Sequence, residues 1–356
     1  MKLSSITLCL VILVCLSLSV LAAPSRRHKR KQAVSGGENV SANEFPHLVS
    51  LQYSPTEGRA PQHFCGASII SKRWLITAGH CAAVDGMDSS KIRVVAGTNN
   101  KDNCQSSNSG CVVRSVSRVI VHPNYNKDYI RNDLALIQLS ADLPFSENIK
   151  PIAFEGGSIP WETVLTVAGW GLTTDGSRDL PTIAQKGYLP LRTSSVCNAQ
   201  GLDMQSPWQL CAGEGRGINS CQGDSGGPLF WKRQSTQNPS DVVMGLAGMV
   251  SYGPQGCGRQ GSYSVYTNAT YWINYVKNYV SDINIVYYSN PTPSPSPSPS
   301  PSQPCVCSQS EARTDSNITP TPQPIPDDGA KNNNTDEPIP PNQEPNLAKV
   351  EINAST

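Results

Sequence analysis

Short apolar runs separated by turn residues fill the middle of the chain. Many of these runs are rich in β-branched residues, and glycine, proline, asparagine and aspartate lie between them. Brief runs bounded in this way are typical of the strands of an all-β domain. The runs cover residues 47–52, 65–70, 74–78, 92–96, 116–121, 134–139, 164–169, 227–231 and 242–250.

Two segments depart from the strand pattern. Residues 193–199 are compatible with a short helix. Over residues 268–283, apolar side chains recur at helical spacing, namely Trp272, Ile273, Val276, Tyr279 and Val280. The pattern therefore predicts a C-terminal helix that docks on the β core.

The first residues predict a secretory signal peptide. A lysine follows Met1, residues 6–21 are almost wholly apolar, and Ala22 supplies the small residue that a signal peptidase needs. The apolar run is short and a basic cluster follows it, which favours a cleaved signal at residues 1–22 over a membrane anchor. Residues 23–33 are assigned to a propeptide, although their basic run also suits the flank of a signal. We expect the protein to be secreted and extracellular.

The last part of the chain differs in composition. No aromatic residue occurs from Asn290 onwards, and residues 291–304 mostly alternate proline with serine or threonine. Such a sequence cannot bury enough apolar surface to offset the entropy lost on ordering. We therefore expect a folded domain over residues 34–285 and a disordered tail, rich in Pro, Ser, Thr and Asn, over residues 286–356.

Charge and cysteine content narrow the function classes. The chain carries 28 Lys and Arg against 27 Asp and Glu, a net charge of +1, which gives no electrostatic reason to expect nucleic acid or a membrane as partner. An even number of cysteines outside the leader of a secreted chain favours disulfides. Zinc would need ligand pairs at other spacings than that of Cys305 and Cys307, so no metal and no cofactor is expected. Sequons suit an extracellular glycoprotein, at Asn39, Asn268, Asn317, Asn333 and Asn353.

Three local patterns carry candidate chemistry. Thr-Ala-Gly-His-Cys at 77–81 follows an apolar strand, Asn-Asp at 132–133 precedes another, and Gly-Asp-Ser-Gly-Gly-Pro occupies 223–228. Singly, each has an ordinary structural explanation as a strand end, a turn or a glycine-rich loop. Together, in a cysteine-rich secreted β domain, they supply a base, an acid and a nucleophile for acyl transfer.

With these motifs the chain resembles the chymotrypsin-like (trypsin-fold) serine peptidases. The resemblance covers about residues 34–280 and extends to Ala-Gly-Trp-Gly at 168–171, Ser-Tyr-Gly at 251–253 and Val-Tyr-Thr at 265–267. It implies two packed six-stranded antiparallel β-barrels with the active site in the cleft between them. It also implies a serine endopeptidase that acts on protein or peptide substrates and that protein protease inhibitors can bind. We expect this enzyme to be a monomer.

The resemblance assigns a role to each site residue. Ser225 is implied as nucleophile, His80 as general base and Asp133 as the residue that orients the base. The N–H groups of Gly223 and Ser225 are implied as the oxyanion hole, and Ser251 as the support of Asp133. The implied disulfides are Cys65–Cys81, Cys197–Cys211 and Cys221–Cys257, while Cys104 and Cys111 share one loop and are expected to pair. Another family bridge is missing on both sides, with Leu165 and Trp231 at its positions.

Activation is implied by the residues at the start of the domain. Val-Ser-Gly-Gly at 34–37 stands where the family has its mature N-terminus. The freed amine of Val34 is expected to pair with the Asp224 carboxylate, so that the precursor is an inactive zymogen. The residue before the cut is Ala33, and not the lysine or arginine that is usual in the family.

The primary pocket departs from that of simple trypsins. Its floor is implied to be Asn219, where trypsins have an aspartate, and Ser264 replaces a glycine on the back wall. A neutral amide cannot offset the desolvation of a cationic side chain, so we expect no strict preference for arginine or lysine. The other substrate-binding residues implied are Ser220, Ser251, Tyr252 and Gly253.

Two alternatives remain at this point. The chain could be a non-catalytic homologue that keeps the fold as a binding module, although such proteins usually lose a residue of the triad. The tail could be an adhesive or docking arm with the peptidase attached to it.

Overall fold

The computed structural model describes residues 34, 37–56, 58–104, 110–215, 217–235, 238, 240–254 and 256–288. The predicted signal peptide, the propeptide and the tail beyond residue 288 lie outside these residues. Over the described part of the chain, no helix is long and apolar enough to cross a membrane.

The first half of the domain forms a closed, antiparallel six-stranded barrel. Strand β1 (Glu38–Asn39) precedes it and pairs elsewhere. The barrel order is β2-β3-β4-β7-β6-β5, and a one-turn helix, α1 (Gly79–Ala82), follows β4. The barrel strands are β2 (Leu48–Tyr53), β3 (Gln62–Ser71), β4 (Trp74–Thr77), β5 (Ile92–Ala96), β6 (Val112–Val121) and β7 (Ala135–Leu139).

The second half forms a second six-stranded ring with additional strands on it. The ring order is β12-β9-β10-β11-β14-β13, closed by antiparallel pairing of β12 with β13. The strands of this half are β8 (Ala153–Glu155), β9 (Val164–Gly169), β10 (Gln185–Arg192), β11 (Gln209–Ala212), β12 (Pro228–Gln234), β13 (Val242–Tyr252), β14 (Ser264–Asn268) and β15 (Ile285–Val286). The predicted all-β fold with two six-stranded barrels is confirmed.

The two predicted helices are present but short. Helix α2 spans Ser194–Asn198 and helix α3 spans Ile273–Lys277. The C-terminal helix was expected from residue 268, but Asn268 belongs to β14 because that strand continues its pairing with β11 and β13. The apolar face still packs as predicted, since Ile273, Val276 and Val280 are buried in the main core.

Strand pairing continues past residue 285, at which the folded domain was expected to end. Val286 lies in β15, which pairs in parallel with β8. Tyr288 packs against Trp231, with 4.7 Å between ring centroids and the rings tilted by 50°. Trp231 is packed with Leu165 in one apolar cluster, so aromatic packing covers the two positions at which the resemblance implies that a family bridge is missing. The unpaired edge of β8 and the apolar residues 285–288 together explain the extra strand.

The two barrels share an apolar interface. The largest buried cluster contains residues of both, from Leu134 and Leu136 to Trp170 and Phe230. Burying each such side chain contributes roughly 1.5–3 kcal/mol. The cleft beside this interface carries the candidate site.

Four disulfides join the described cysteines. They are Cys65–Cys81, Cys104–Cys111, Cys197–Cys211 and Cys221–Cys257, the same pairings that the sequence had suggested. The first ties β3 to α1, and the last ties the loop before residue 224 to the loop after β13. Both therefore hold segments on which candidate site residues lie.

Candidate active site

His80 lies on α1, directly after the buried strand β4. Its backbone N–H donates to Asp133 Oδ1 at 2.7 Å, and its ring Nδ1 lies 2.9 Å from Asp133 Oδ2. The adjacent Cys81 is bonded to β3. About a quarter of the imidazole is accessible (28%), so the ring is fixed on one side and open to the cleft on the other.

Asp133 is buried where the two barrels meet. Ser251 Oγ, from the second barrel, donates to Asp133 Oδ2 at 2.5 Å, and Thr267 Oγ1 donates to the Asp133 carbonyl at 2.7 Å. Burial alone would raise the pKa of Asp133, but hydrogen bonds from the His80 ring and the Ser251 hydroxyl outweigh it and keep that pKa below its usual value. The carboxylate is therefore ionised at neutral pH and faces the imidazole.

Ser225 lies on a tight loop that packs against the segment leading into His80. Gly226 has a φ of +72°, and a Cβ built there would lie 3.0 Å from the Ala78 nitrogen and still closer to Thr77. Only glycine permits this approach. The Ser225 carbonyl accepts a hydrogen bond from Gly66 N at 2.8 Å. The three predicted residues are thus carried by segments in mutual contact at the junction of the barrels.

The Gly223 carbonyl is held by a buried histidine that the motifs did not single out. His63 Nε2 lies 2.8 Å from the Gly223 carbonyl, and its Nδ1 lies 2.8 Å from Ser50 Oγ. Burial lowers the pKa of His63 to about 4, so the ring is neutral and donates to the carbonyl through Nε2 while Nδ1 accepts from the serine. The contacted carbonyl belongs to the peptide bond between Gly223 and Asp224, so His63 fixes the C-terminal side of the residue whose own N–H is predicted to face an oxyanion. No local sequence signal distinguishes His63 from any other strand residue.

Asp224 is completely buried without a cationic partner among the described residues. Gly171 N donates to its Oδ1 at 2.7 Å and Cys221 N to its Oδ2 at 2.9 Å. Burial raises the pKa of Asp224 to about 6 against the effect of these hydrogen bonds. Its carboxylate lies between Gly169 and Gly171, where any Cβ would clash with it.

Val34 is buried against the second barrel, on the face that also carries Asp224. Its side chain is fully covered in a cluster with Leu165, Val167 and Leu189. A Cβ at Gly187 would lie 3.1 Å from Val34 Cγ1. Because Gly187 pairs with Val167 on β9, Val34 and Asp224 both lie against β9, the latter at its C-terminal end.

Three of the predicted pocket residues, Asn219, Ser220 and Ser264, form one hydrogen-bonded group. Asn219 is 2% exposed; its Nδ2 donates to Ser262 Oγ at 3.2 Å and its Oδ1 accepts from Ser220 N at 3.1 Å. Ser264 Oγ also donates to Asn219 Oδ1, and Ser220 Oγ donates to Ser264 Oγ at 3.1 Å. This hydrogen-bonded group is therefore polar and neutral.

A second contact between the barrels lies just before Asp133, and no motif in the sequence pointed to it. Ile130 and Asn132 have φ values of +48° and +50°, which are unfavourable, above all for a β-branched residue. From the second barrel, the buried Gln209 donates through Nε2 to the Ile130 carbonyl at 3.2 Å, and Asp203 pairs with Arg131 at 3.2 Å. These contacts hold the strained segment that carries Asp133.

Gln209 also reaches the predicted substrate wall. Its Oε1 accepts from Gln205 N at 2.8 Å and lies 3.4 Å from the Tyr252 hydroxyl. That hydroxyl donates to the Leu202 carbonyl at 2.9 Å. Tyr252 is followed by Gly253, which is exposed.

One cluster in the described part of the chain has the geometry of a metal site. The side-chain ligand atoms of Cys65, His80 and Cys81 lie within 4.8 Å of one another. The two sulfurs are joined in a disulfide and offer no thiolate to a metal, so these residues do not form a metal centre.

Comparison with known proteins agrees with this arrangement. The Trypsin family model matches residues 34–276. Trypsin-1 of Astacus astacus is 36% identical over 248 residues, which cover 68% of this chain and 98% of the relative. Tryptase of Mus musculus is 31% identical over 285 residues (77% and 97%), and Melanization protease 1 of Drosophila melanogaster is 31% identical over 283 residues (72% and 68%). The chain belongs to the trypsin family and is a serine-type endopeptidase.

Proposed function

We propose that this endopeptidase works through Ser225, His80 and Asp133, and is made as a secreted zymogen. The observation that carries the proposal is the 2.9 Å contact between His80 Nδ1 and the buried Asp133 carboxylate, which Ser251 completes from the other barrel. A carboxylate in this position fixes the imidazole tautomer and leaves Nε2 free to act as a base.

The reaction proceeds in two acyl-transfer steps. The Ser225 hydroxyl oxygen bonds to the scissile carbonyl carbon while His80 Nε2 takes the hydroxyl proton. The C–N bond then breaks, and His80 returns the proton to the leaving amine. Water attacks the acyl-enzyme with His80 again as base, which releases the carboxylic acid and restores Ser225.

The developing oxyanion is stabilised by two backbone donors. The N–H groups of Gly223 and Ser225 take this role, and His63 supports it by holding the Gly223 carbonyl. Loss of one donor in such a site costs about 3–4 kcal/mol in the transition state. The side chain before the cleaved bond enters the pocket lined by Ser220, Gly253 and Ser264.

Replacement of the nucleophile tests this assignment. Ser225→Ala should lower kcat on peptides by several orders of magnitude, because the three residues act as a unit. It should also abolish labelling by a fluorophosphonate, while secretion yield and thermal unfolding remain close to those of the parent. A parent protein that neither reacts with the probe nor cleaves any peptide would instead support the non-catalytic binding module.

Activation by a freed Val34 amine explains the buried Asp224. A fully buried carboxylate with only backbone donors lacks the counter-charge that such groups normally need. Val34 is already buried against the same strand, so a cut after Ala33 places an ammonium group within this region. The pair then fixes the loop of Gly223 and Ser225 in its active form.

The N-terminus of the active enzyme decides this point. Mass spectrometry of the secreted, active protein should identify Val34 as its first residue. An active form that begins within the basic run at residues 26–31 would exclude the proposed ion pair. The same spectra report removal of the signal at residues 1–22 and occupancy of the sequons, and size-exclusion chromatography reports whether the enzyme is a monomer.

Loss of strict tryptic specificity follows from the neutral pocket floor. Asn219 cannot provide the charge that a guanidinium or ammonium group needs when it leaves water. We therefore expect uncharged side chains before the cleaved bond. Protein substrates and protein inhibitors that present such residues are the expected partners.

A further inference from the structure

Ser264 separates the pocket floor from the pocket entrance. It opens β14, and its hydroxyl donates to Asn219 Oδ1. Gly253, which directly follows the adjacent strand β13, is its neighbour, since Tyr252 pairs with Val265, and a Cβ built on Gly253 would lie 3.0 Å from Ser264 Oγ. The Ser264 hydroxyl is therefore held between Asn219 and the Gly253 backbone, with no room to spare on the Gly253 side.

The exposure of the predicted pocket residues agrees with this position of the Ser264 hydroxyl. Asn219 and Ser264 are 2% and 1% exposed, whereas Ser220 is half-buried and Gly253 is exposed. Solvent thus reaches Gly253 and part of Ser220 but not the pair formed by Ser264 and Asn219. A side chain that had to reach Asn219 would first have to displace the Ser264 hydroxyl.

The hydrogen bonds of the group have one consistent direction. The Ser220 backbone N–H must donate to Asn219 Oδ1, so the amide orientation is fixed. Tyr266 then donates to Ser220 at 3.4 Å, Ser220 to Ser264, and Ser264 to Asn219. Every hydroxyl hydrogen of this relay is engaged. A charged or long polar side chain would break the relay without finding an anion, which costs more than the contacts return.

We infer that Ser264 closes the primary pocket and makes the enzyme select short, uncharged side chains of the alanine class before the cleaved bond. This inference rests on the proposed function of the site. The precursor carries such a residue, Ala33, directly before Val34. The active enzyme therefore cuts its own precursor between Ala33 and Val34, and the alanine that departs from the family pattern is a substrate residue of the same pocket.

The first test measures which residue the enzyme prefers before the cleaved bond, using a full chain that a different protease has activated. Residues 29–33 are replaced by the recognition sequence of an exogenous protease that cuts directly before Val34. The activated protein is titrated with a fluorophosphonate and assayed on matched peptides with Ala, Ser, Val, Leu, Phe, Gln or Arg before the cleaved bond. We expect kcat/KM for Ala to exceed that for Phe and Arg by about tenfold or more.

This design separates failure of the inference from failure of the proposed function. A protein that is labelled by the probe but prefers Arg or Phe overturns the closed pocket and leaves the catalytic assignment intact. A protein that is not labelled and cleaves nothing overturns the catalytic assignment itself.

Variants of the pocket test the role of Ser264 directly. Ser264→Gly should raise kcat/KM for Leu and Phe by about tenfold or more, because the path to the floor opens. Asn219→Asp alone should give little cleavage after Arg. The double variant Asn219→Asp with Ser264→Gly should raise kcat/KM for Arg by about a hundredfold. Ser262→Ala is the matched control, since it removes the hydroxyl that accepts from Asn219 Nδ2 but should leave the order of preference unchanged. Equal Arg cleavage by Asn219→Asp alone and by the double variant would contradict the inference.

Self-activation is tested on an inert precursor. Full-length Ser225→Ala precursor is incubated with a small amount of active enzyme, and the new N-terminus is sequenced. We expect cleavage before Val34 in the parent sequence and in Ala33→Ser, and at least about tenfold slower cleavage in Ala33→Arg. An Ala33→Arg precursor that is cut as fast as the parent would disprove self-activation through this pocket.

Discussion

At the scale of single residues, the charge state of Asp224 should depend on the proposed cut after Ala33. In the uncut chain the Val34 nitrogen belongs to a peptide bond, and burial raises the pKa of Asp224 to about 6. The folded state then holds a proton more tightly than the unfolded chain does. The stabilisation by this group is complete below about pH 4 and is lost as the pH rises through about 6.

Asp224→Asn in the uncut Ser225→Ala precursor should remove this pH dependence. The free energy of unfolding of the parent should fall between pH 4 and pH 7 relative to the variant, by an amount on the order of 2–3 kcal/mol. Denaturant unfolding at a series of pH values measures the difference between the two proteins. Parallel pH profiles would contradict the prediction.

The stability of the parent must be compared with that of the Asp224→Asn variant, because buried histidines change stability with pH in the opposite direction to Asp224. Burial lowers the pKa of His47 to about 3 and the pKa values of His63 and His122 to about 4. The unfolded chain takes up these protons first as the pH falls, so the histidines destabilise the fold below about pH 6.5. Their contribution cancels in the comparison, since both proteins contain them.

At the scale of elements, the segment before Asp133 shows why catalytic geometry depends on both barrels. Ile130 and Asn132 adopt unfavourable backbone angles, and strained segments persist only where their surroundings hold them. Here the holding groups are Gln209 at the Ile130 carbonyl and Thr267 at the Asp133 carbonyl. They lie opposite each other on β11 and β14.

Gln209→Leu should therefore impair catalysis more than it impairs folding. We expect kcat on a small peptide to fall about 3- to 10-fold with KM nearly unchanged, because a displaced carboxylate misaligns His80. Gln185→Leu is the matched control, since Gln185 is equally buried in the second barrel and its amide donates to Asn39 Oδ1 at 2.8 Å. Both variants should lose similar stability, about 1–3 kcal/mol. Equal kcat values in the two variants would assign Gln209 a purely structural role.

The elements also mark the limit of prediction from the sequence. The strands, the two helices and the residues of the proposed triad could be located because local apolar patterns and short motifs encode them. The contacts of His63 with Gly223 and of Gln209 with Ile130 could not be located, since each joins positions distant in the sequence. The same holds for Ser264, whose replacement of glycine was visible although the direction of its hydroxyl was not.

At the scale of the whole molecule, the folded part ends later than the sequence composition indicated. After α3 the chain continues into β15, where Phe154 N donates to the Asn284 carbonyl and Gly156 N to the Val286 carbonyl, both at 2.8 Å. Tyr288 then packs on Trp231 and lies near the Arg233 guanidinium. Arg233 in turn pairs with the buried Glu155 of β8, so the added strand covers a buried charge pair.

Two truncations should separate this strand from the tail. A chain that ends at Asn290 should keep the stability and the small-peptide kcat/KM of the full-length enzyme, because the residues beyond it have no aromatic and little apolar content to contribute to a core. A chain that ends at Ile283 loses β15 and Tyr288, which exposes Trp231 and the pair formed by Glu155 and Arg233 to water. It should lose about 1–3 kcal/mol of stability while kcat per labelled active site is retained, because no proposed catalytic residue contacts β15.

Denaturant unfolding measures the stability of the two truncated chains, and fluorophosphonate titration gives the number of active sites from which kcat is calculated. Equal stability of the two truncated chains would show that β15 adds nothing to the fold, whereas a loss of kcat in the chain ending at Asn290 would give the tail a part in catalysis.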